Sequence, residues 1–98
     1  MTPRNELRLL PWSGREGTPC YLSTDGSGFM SRLADNIEAA QLGAAAELLE
    51  HVSETLKDQD AGLEDLRLLA EELTGVLQDV LRVATSRGHL LTASQLRP

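Results

Sequence analysis

The sequence predicts an α+β fold: an N-terminal β-hairpin followed by a long antiparallel αα-hairpin, two copies of which pair into a helical bundle. Three observations predict it. Strand-and-turn residues, and all three aromatics (Trp12, Tyr21 and Phe29), are confined to the first third of the 98-residue chain. Beyond residue 29, apolar residues recur at helical spacing in two stretches divided by an Asp- and Gly-rich break. The second stretch carries an apolar arc broader than a single antiparallel neighbour covers. One domain over residues 1–98 accommodates these elements, near the size at which one core suffices without disulfides or metal.

The hairpin and its following turn take residues 1–28. Residues 7–12 and 18–24 read as strands around Ser13-Gly14-Arg15-Glu16-Gly17, where two glycines suit a loop longer than two residues. Pro11 and Pro19 lack an amide donor, so both strands belong at an edge and neither at the centre of a sheet. A lone two-stranded hairpin is marginal in water and needs a surface to lie on. Trp12, Tyr21 and Leu22 are its expected means of docking, onto the helices of its own chain or onto a second subunit. Asp25-Gly26-Ser27-Gly28 forms a turn that can cap the first helix.

Helix 1 is predicted over residues 29–58. Its apolar positions fall at 30, 33, 37, 40, 44 and 48, and on an adjoining face at 42, 45, 49, 52 and 56. Asp35, Glu38, Glu47, Glu50 and Glu54 occupy much of the remainder and read as a solvated face. Gly43 begins a run of small residues through Ala46, at which a partner helix could approach closely. Lys57-Asp58-Gln59-Asp60-Ala61-Gly62 ends the helix and starts a new one.

Helix 2 is predicted over residues 62–87. Leu63, Leu66, Ala70, Leu73, Val76/Leu77, Val80 and Ala84 alternate by threes and fours, and Leu69, Leu81 and Val83 widen the stripe. Arg87-Gly88 reads as a basic last turn followed by a C-cap glycine. Residues 88–98 form a tail, either unstructured or docked through Leu90, Leu91 and Leu96. Two long helices with two apolar faces each leave a large patch uncovered in a monomer. A homodimer removes it, with Leu66, Leu69, Leu73, Val76, Leu77 and Val80 as the expected interface. The competing arrangement is a monomer whose hairpin and tail cover the second face.

Candidate chemistry is sparse. His51 and His89 are far apart in sequence, Cys20 is the sole thiol, and no zinc or di-iron spacing exists, so neither metal nor cofactor is expected. Neither glycine-rich turn continues into a P-loop. Cys20 has no sequence-adjacent base. An enzyme is not expected. No apolar run approaches a membrane span, the first residues lack a signal-peptide core, and a single cysteine suits a reducing compartment; together these predict a cytoplasmic protein.

The net charge of −6 is uneven, with the acids concentrated between residues 33 and 80. Such a middle disfavours a broad phosphate-binding face and suits a basic protein partner. Direct DNA binding is the alternative, through Arg4, Arg8, Arg15 and Arg32 or through Arg82, Arg87 and Arg97. A gap between aliphatic helices could also take a small ligand.

The strings Leu9-Leu10-Pro11-Trp12-Ser13-Gly14, Pro19-Cys20-Tyr21-Leu22-Ser23-Thr24-Asp25 and Ser31-Arg32-Leu33-Ala34-Asp35-Asn36-Ile37-Glu38 stand beside the Arg82-Val83-Ala84 to Ser86-Arg87-Gly88 ending. With the length and acidity, they resemble the BldB family over essentially the whole chain. These are small regulators of morphological development in filamentous, spore-forming actinobacteria, a source that the eight arginines to one lysine also suit. The resemblance implies a homodimeric cytoplasmic regulator of sporulation and secondary metabolism. Genes for such proteins are often found beside those for helix-turn-helix regulators of the WhiJ type, so the resemblance implies a regulator of that class as partner. It brings no catalytic or ligand residues with it.

Overall fold

A computed structural model describes residues 6–95 of the chain, the side chains among them through residue 88. The predicted α+β order is present: β1 (Glu6–Ser13), a short 3-10 turn (Arg15–Gly17), β2 (Pro19–Thr24), α1 (Phe29–Lys57) and α2 (Leu63–Gln95). The strands pair antiparallel, with Arg8 opposite Leu22 and Leu9 opposite Tyr21. Between Leu9 and Ser13 the ladder slips, because Ser13 pairs with Pro19 and β1 carries extra residues there. Pro11 lies in that slip, where its missing amide removes nothing from the ladder. Burial alternates along β2, with Cys20, Leu22 and Thr24 turned inward and Pro19, Tyr21 and Ser23 outward.

The connector uses left-handed backbone at Glu16 (φ 55°) and Gly17 (φ 75°), and the Thr18 hydroxyl donates to the Arg15 carbonyl. The turn before α1 is held by Asp25, whose Oδ1 accepts from the Ser27 amide at 2.9 Å and the Ser27 hydroxyl at 2.6 Å. Those two donors hold the Asp25 carboxyl below the usual carboxylate range. Contrary to expectation, this turn supplies no capping side chain: Gly28 is the N-cap, at a φ of 96° that glycine favours. At the α1–α2 junction, Asp58 Oδ1 accepts from the Asp60 amide and Asp65 Oδ2 from the Gly62 amide. The second bond is one half of a capping box, and Glu64 and Asp65 suit the positive end of α2.

Helix 2 runs past its expected end. Gly88 is helical and α2 continues to Gln95, so residues 88–95 of the region read as a tail are its last turns. Glycine stops a helix when it adopts the left-handed conformation, and Gly88 does not; its cost in a helix interior is only about 1 kcal/mol. Leu96 and Arg97 of the predicted tail, like Arg4 at the other end, lie outside the described residues, as do the side chains of His89, Leu90 and Leu91. Gly43 is also helical, but nothing lies within 4 Å of where its Cβ would be. Gly43 itself therefore receives no close neighbour from the described residues of its own chain.

The two helices form an antiparallel pair, and β1 is the strand that lies on them. The interior is small: Leu10, Pro11, Ala34, Leu69 and Val83 are its buried apolar side chains among the described residues. The shape is long, 63 × 30 × 21 Å, with a radius of gyration of 17.4 Å. A compact chain of this length would have a radius of about 13 Å. No helix among the described residues is long and apolar enough to cross a membrane.

Candidate functional site

Two features stand out: a polar clasp that seats the hairpin, and an apolar face that nothing in the chain covers. The clasp is built from β1 outward. Arg8 sits on the inward side of β1, where its Nη1 donates to the Ser31 carbonyl at 3.1 Å. Its Nη2 lies 2.7 Å from Asp35 Oδ1 and 3.3 Å from Glu38 Oε1. Arg87, reaching from α2, stands 3.9 Å from the same Glu38 oxygen. The Thr24 and Ser31 hydroxyls are bonded at 2.7 Å, tying the end of β2 to the same turn of α1. Further along, the Pro11 carbonyl accepts from Gln41 Nε2 at 2.9 Å and Arg82 Nη1 at 3.2 Å, while Arg82 Nη2 donates to Ser13 Oγ. β1 thus bridges the start of α1 and the far part of α2. Arg8 Nε and Gln41 Oε1 are buried without a protein hydrogen-bond partner.

This geometry changes several expectations. Arg8, assigned to a DNA-contacting cluster with Arg15 and Arg32, is buried and engaged with carboxylates, so it has no face for a phosphate. Arg82 is partly occupied by Pro11, Ser13 and Asp79, whereas Arg15, Arg32 and Arg87 remain exposed. Glu38 is an interior residue and no part of a solvated face. The inward stripe at the start of α1 is Ser31, Ala34 and Glu38, one position beyond the expected Met30, Leu33 and Ile37. The sequence carries only part of the signal: Arg8 is the one charged residue in the apolar run 7–12, and its turning inward, which then requires a carboxylate within reach, is set by the tertiary contact.

The hairpin aromatics divide. Leu22 and Trp12 are half-buried, and Tyr21 points outward with 59% of its surface exposed. Cys20 is half-buried in the hairpin, and His51 stands on the distant half of α1, so the two are not brought together. No group of three or more His, Cys, Asp or Glu among the described residues could hold a metal ion.

Two grooves follow the α1–α2 junction and share Val76. One, of about 680 Å³, is lined by Glu47, His51, Glu71, Glu72 and Asp79 around Ala44 and Leu48. The other, of about 420 Å³, is lined by Ala45, Leu49, Leu73, Leu77 and Val80, with Thr74 its one polar side chain. Of the six expected interface residues, Leu69 is 6% exposed and already covered by its own chain. Leu66, Leu73 and Leu77 are exposed, and Val76 and Val80 half-buried, so five have surface to give. Leu63 and Leu81 extend the same stripe of α2, and Leu49 and Leu56 run beside it on α1.

Comparisons with protein-family models, with curated proteins and with solved structures each find no match.

Proposed function

We propose that this chain is a non-catalytic homodimeric regulator that acts by protein–protein contact with a DNA-binding transcription factor. One observation carries the reading: apolar stripes on both long helices remain open to solvent beside a strongly acidic surface. Isolated exposed leucines need no explanation, but a contiguous stripe along a helix pair marks an interaction face. The acidic groove suits a basic partner surface such as one that otherwise meets DNA. Arg8, committed to Asp35 and Glu38, weakens the alternative in which the chain contacts DNA itself. The resemblance to the BldB family supplies the developmental setting and the helix-turn-helix class of partner.

The test is a mobility-shift assay in which the purified chain is titrated into a helix-turn-helix regulator from the same cell, bound to its operator. The expected result is altered operator occupancy, together with a direct complex in the absence of DNA. Unchanged operator binding at micromolar chain, with no complex, overturns the reading. A shift of DNA by the chain alone at low salt would instead favour direct binding.

A further inference from the structure

We infer that the Ala45–Leu49–Leu73–Leu77–Val80 groove is the seat of a second copy of this chain, which packs across it antiparallel about a two-fold axis to complete a four-helix bundle. This deepens the dimer half of the proposed function and rests on it.

Area is the first argument. The chain exposes 7566 Å² of accessible surface, against about 5,500 Å² for a compact protein of its mass. The excess is about 2,000 Å² over the whole chain. A stable interface takes about 800 Å² or more from each partner, so the surplus is of the size that one copy yields to another.

Pattern is the second. On α2 the open residues Leu63, Leu66, Ala70, Leu73, Leu77 and Ala84 repeat by threes and fours or a whole heptad. On α1, Leu42, Ala45, Leu49, Val52 and Leu56 do the same. Both seams flank one groove, which gives the helix pair an open apolar side distinct from its acidic one. A two-fold axis through the groove sets each layer against an identical one, so the interface is self-complementary and closed.

Charge fixes the direction. Residues 39–78, the half nearest the α1–α2 junction, hold nine acids against Lys57 and Arg67, for a net −7. The opposite half, residues 6–38 with 79–88, nets −1. A parallel pairing would set the two −7 halves side by side within about a Debye length. The antiparallel pairing carries the junction ends, with Glu54, Asp58, Asp60, Glu64 and Asp65, to opposite ends of the dimer. It also brings the exposed Leu56 and Leu63 of one copy toward the end where Phe29 and Met30 of the other are open.

The experiment combines mass with distance. Sedimentation of the full chain should give twice its 10.7 kDa mass. The double variant Leu49→Glu/Leu77→Glu should be monomeric at concentrations where the parent is dimeric, while Leu68→Glu, outside both grooves, stays dimeric. Because the double variant can also fail to fold, a second readout uses the unaltered face. In Cys20→Ser/Gln59→Cys, spin labels at the α1–α2 junction should lie about 40 Å apart in the dimer, twice the helical rise from that junction to the groove centre. A parallel pairing puts them within about 20 Å, the width of packed helices. A monomeric parent overturns this inference and the dimer half of the functional reading together. A dimer that survives Leu49→Glu/Leu77→Glu, or labels within about 20 Å, overturns the inference alone. Regulator binding is read separately, in the operator assay.

Discussion

Arg8 and Glu38 face each other at 3.3 Å, with side chains only 9% and 5% exposed, across the contact between the hairpin and the helices. A strand of leucines delivers a guanidinium to the inner side of α1, and α1 answers with the one acid in its first turns that water does not reach.

The pair makes a sharp prediction. Arg8→Ala leaves the buried Glu38 carboxylate with only the more distant Arg87, 3.9 Å away, and should cost up to about 3–5 kcal/mol in urea unfolding. Arg8→Met/Glu38→Leu, which replaces both charges with apolar groups of similar volume, should recover most of that loss. If the single and double variants unfold at the same denaturant concentration, the interaction is not stabilising the seat of the hairpin.

Neighbouring leucines on α2 should behave oppositely. Leu69→Ala removes one of the few buried apolar side chains and should cost about 2–5 kcal/mol. Leu68→Ala, at an exposed position, should change stability by less than about 0.5 kcal/mol. Thermal melts of the two variants side by side read the difference.

Gly88 separates two descriptions of the end of α2. As a residue in the helix interior with open space around its Cβ position, it should accept alanine with a gain of about 0.5–1 kcal/mol. A left-handed cap would instead lose stability on the same substitution. Circular dichroism of Gly88→Ala, followed through thermal unfolding, decides by sign.

Asp25 should leave a signature in acid. Its folded-state pKa is lowered by the Ser27 donors, so the stability it contributes is fully present above the unfolded value. That contribution fades as pH falls below about 4 toward the lower folded value. The stability difference between the parent and Asp25→Asn should therefore be constant near neutrality and shrink in acid. A difference that does not change with pH would mean the turn is held by something other than the carboxylate.

Most of the architecture was legible because it rests on local signals. Paired prolines and glycines marked the hairpin, Asp58 to Gly62 marked the break, and the three-four spacing of leucines marked α2. The errors have physical causes as well. Gly88 reads as a stop only if its backbone turns left-handed, and no neighbouring residue announces which way it will go. Glu38 reads as a solvent residue until Arg8 is brought over it, a contact that depends on tertiary structure. For the apolar face, the sequence indicated a surplus on both helices, and the structure removed Leu69 from it and set Leu49 of α1 beside Leu73 and Leu77.

The Pro11 carbonyl has a consequence for the order of folding. Its donors, Gln41 and Arg82, are 30 and 71 positions away. Helices close through near neighbours, and their antiparallel pairing needs only the short link at Asp58 to Gly62. The strand pair is too small to persist unaided, and its bonds to α2 close loops of 69 and 71 positions. The hairpin is therefore the last part to be secured and the first to be released. Its amides should exchange with solvent ahead of those in the middle of either helix.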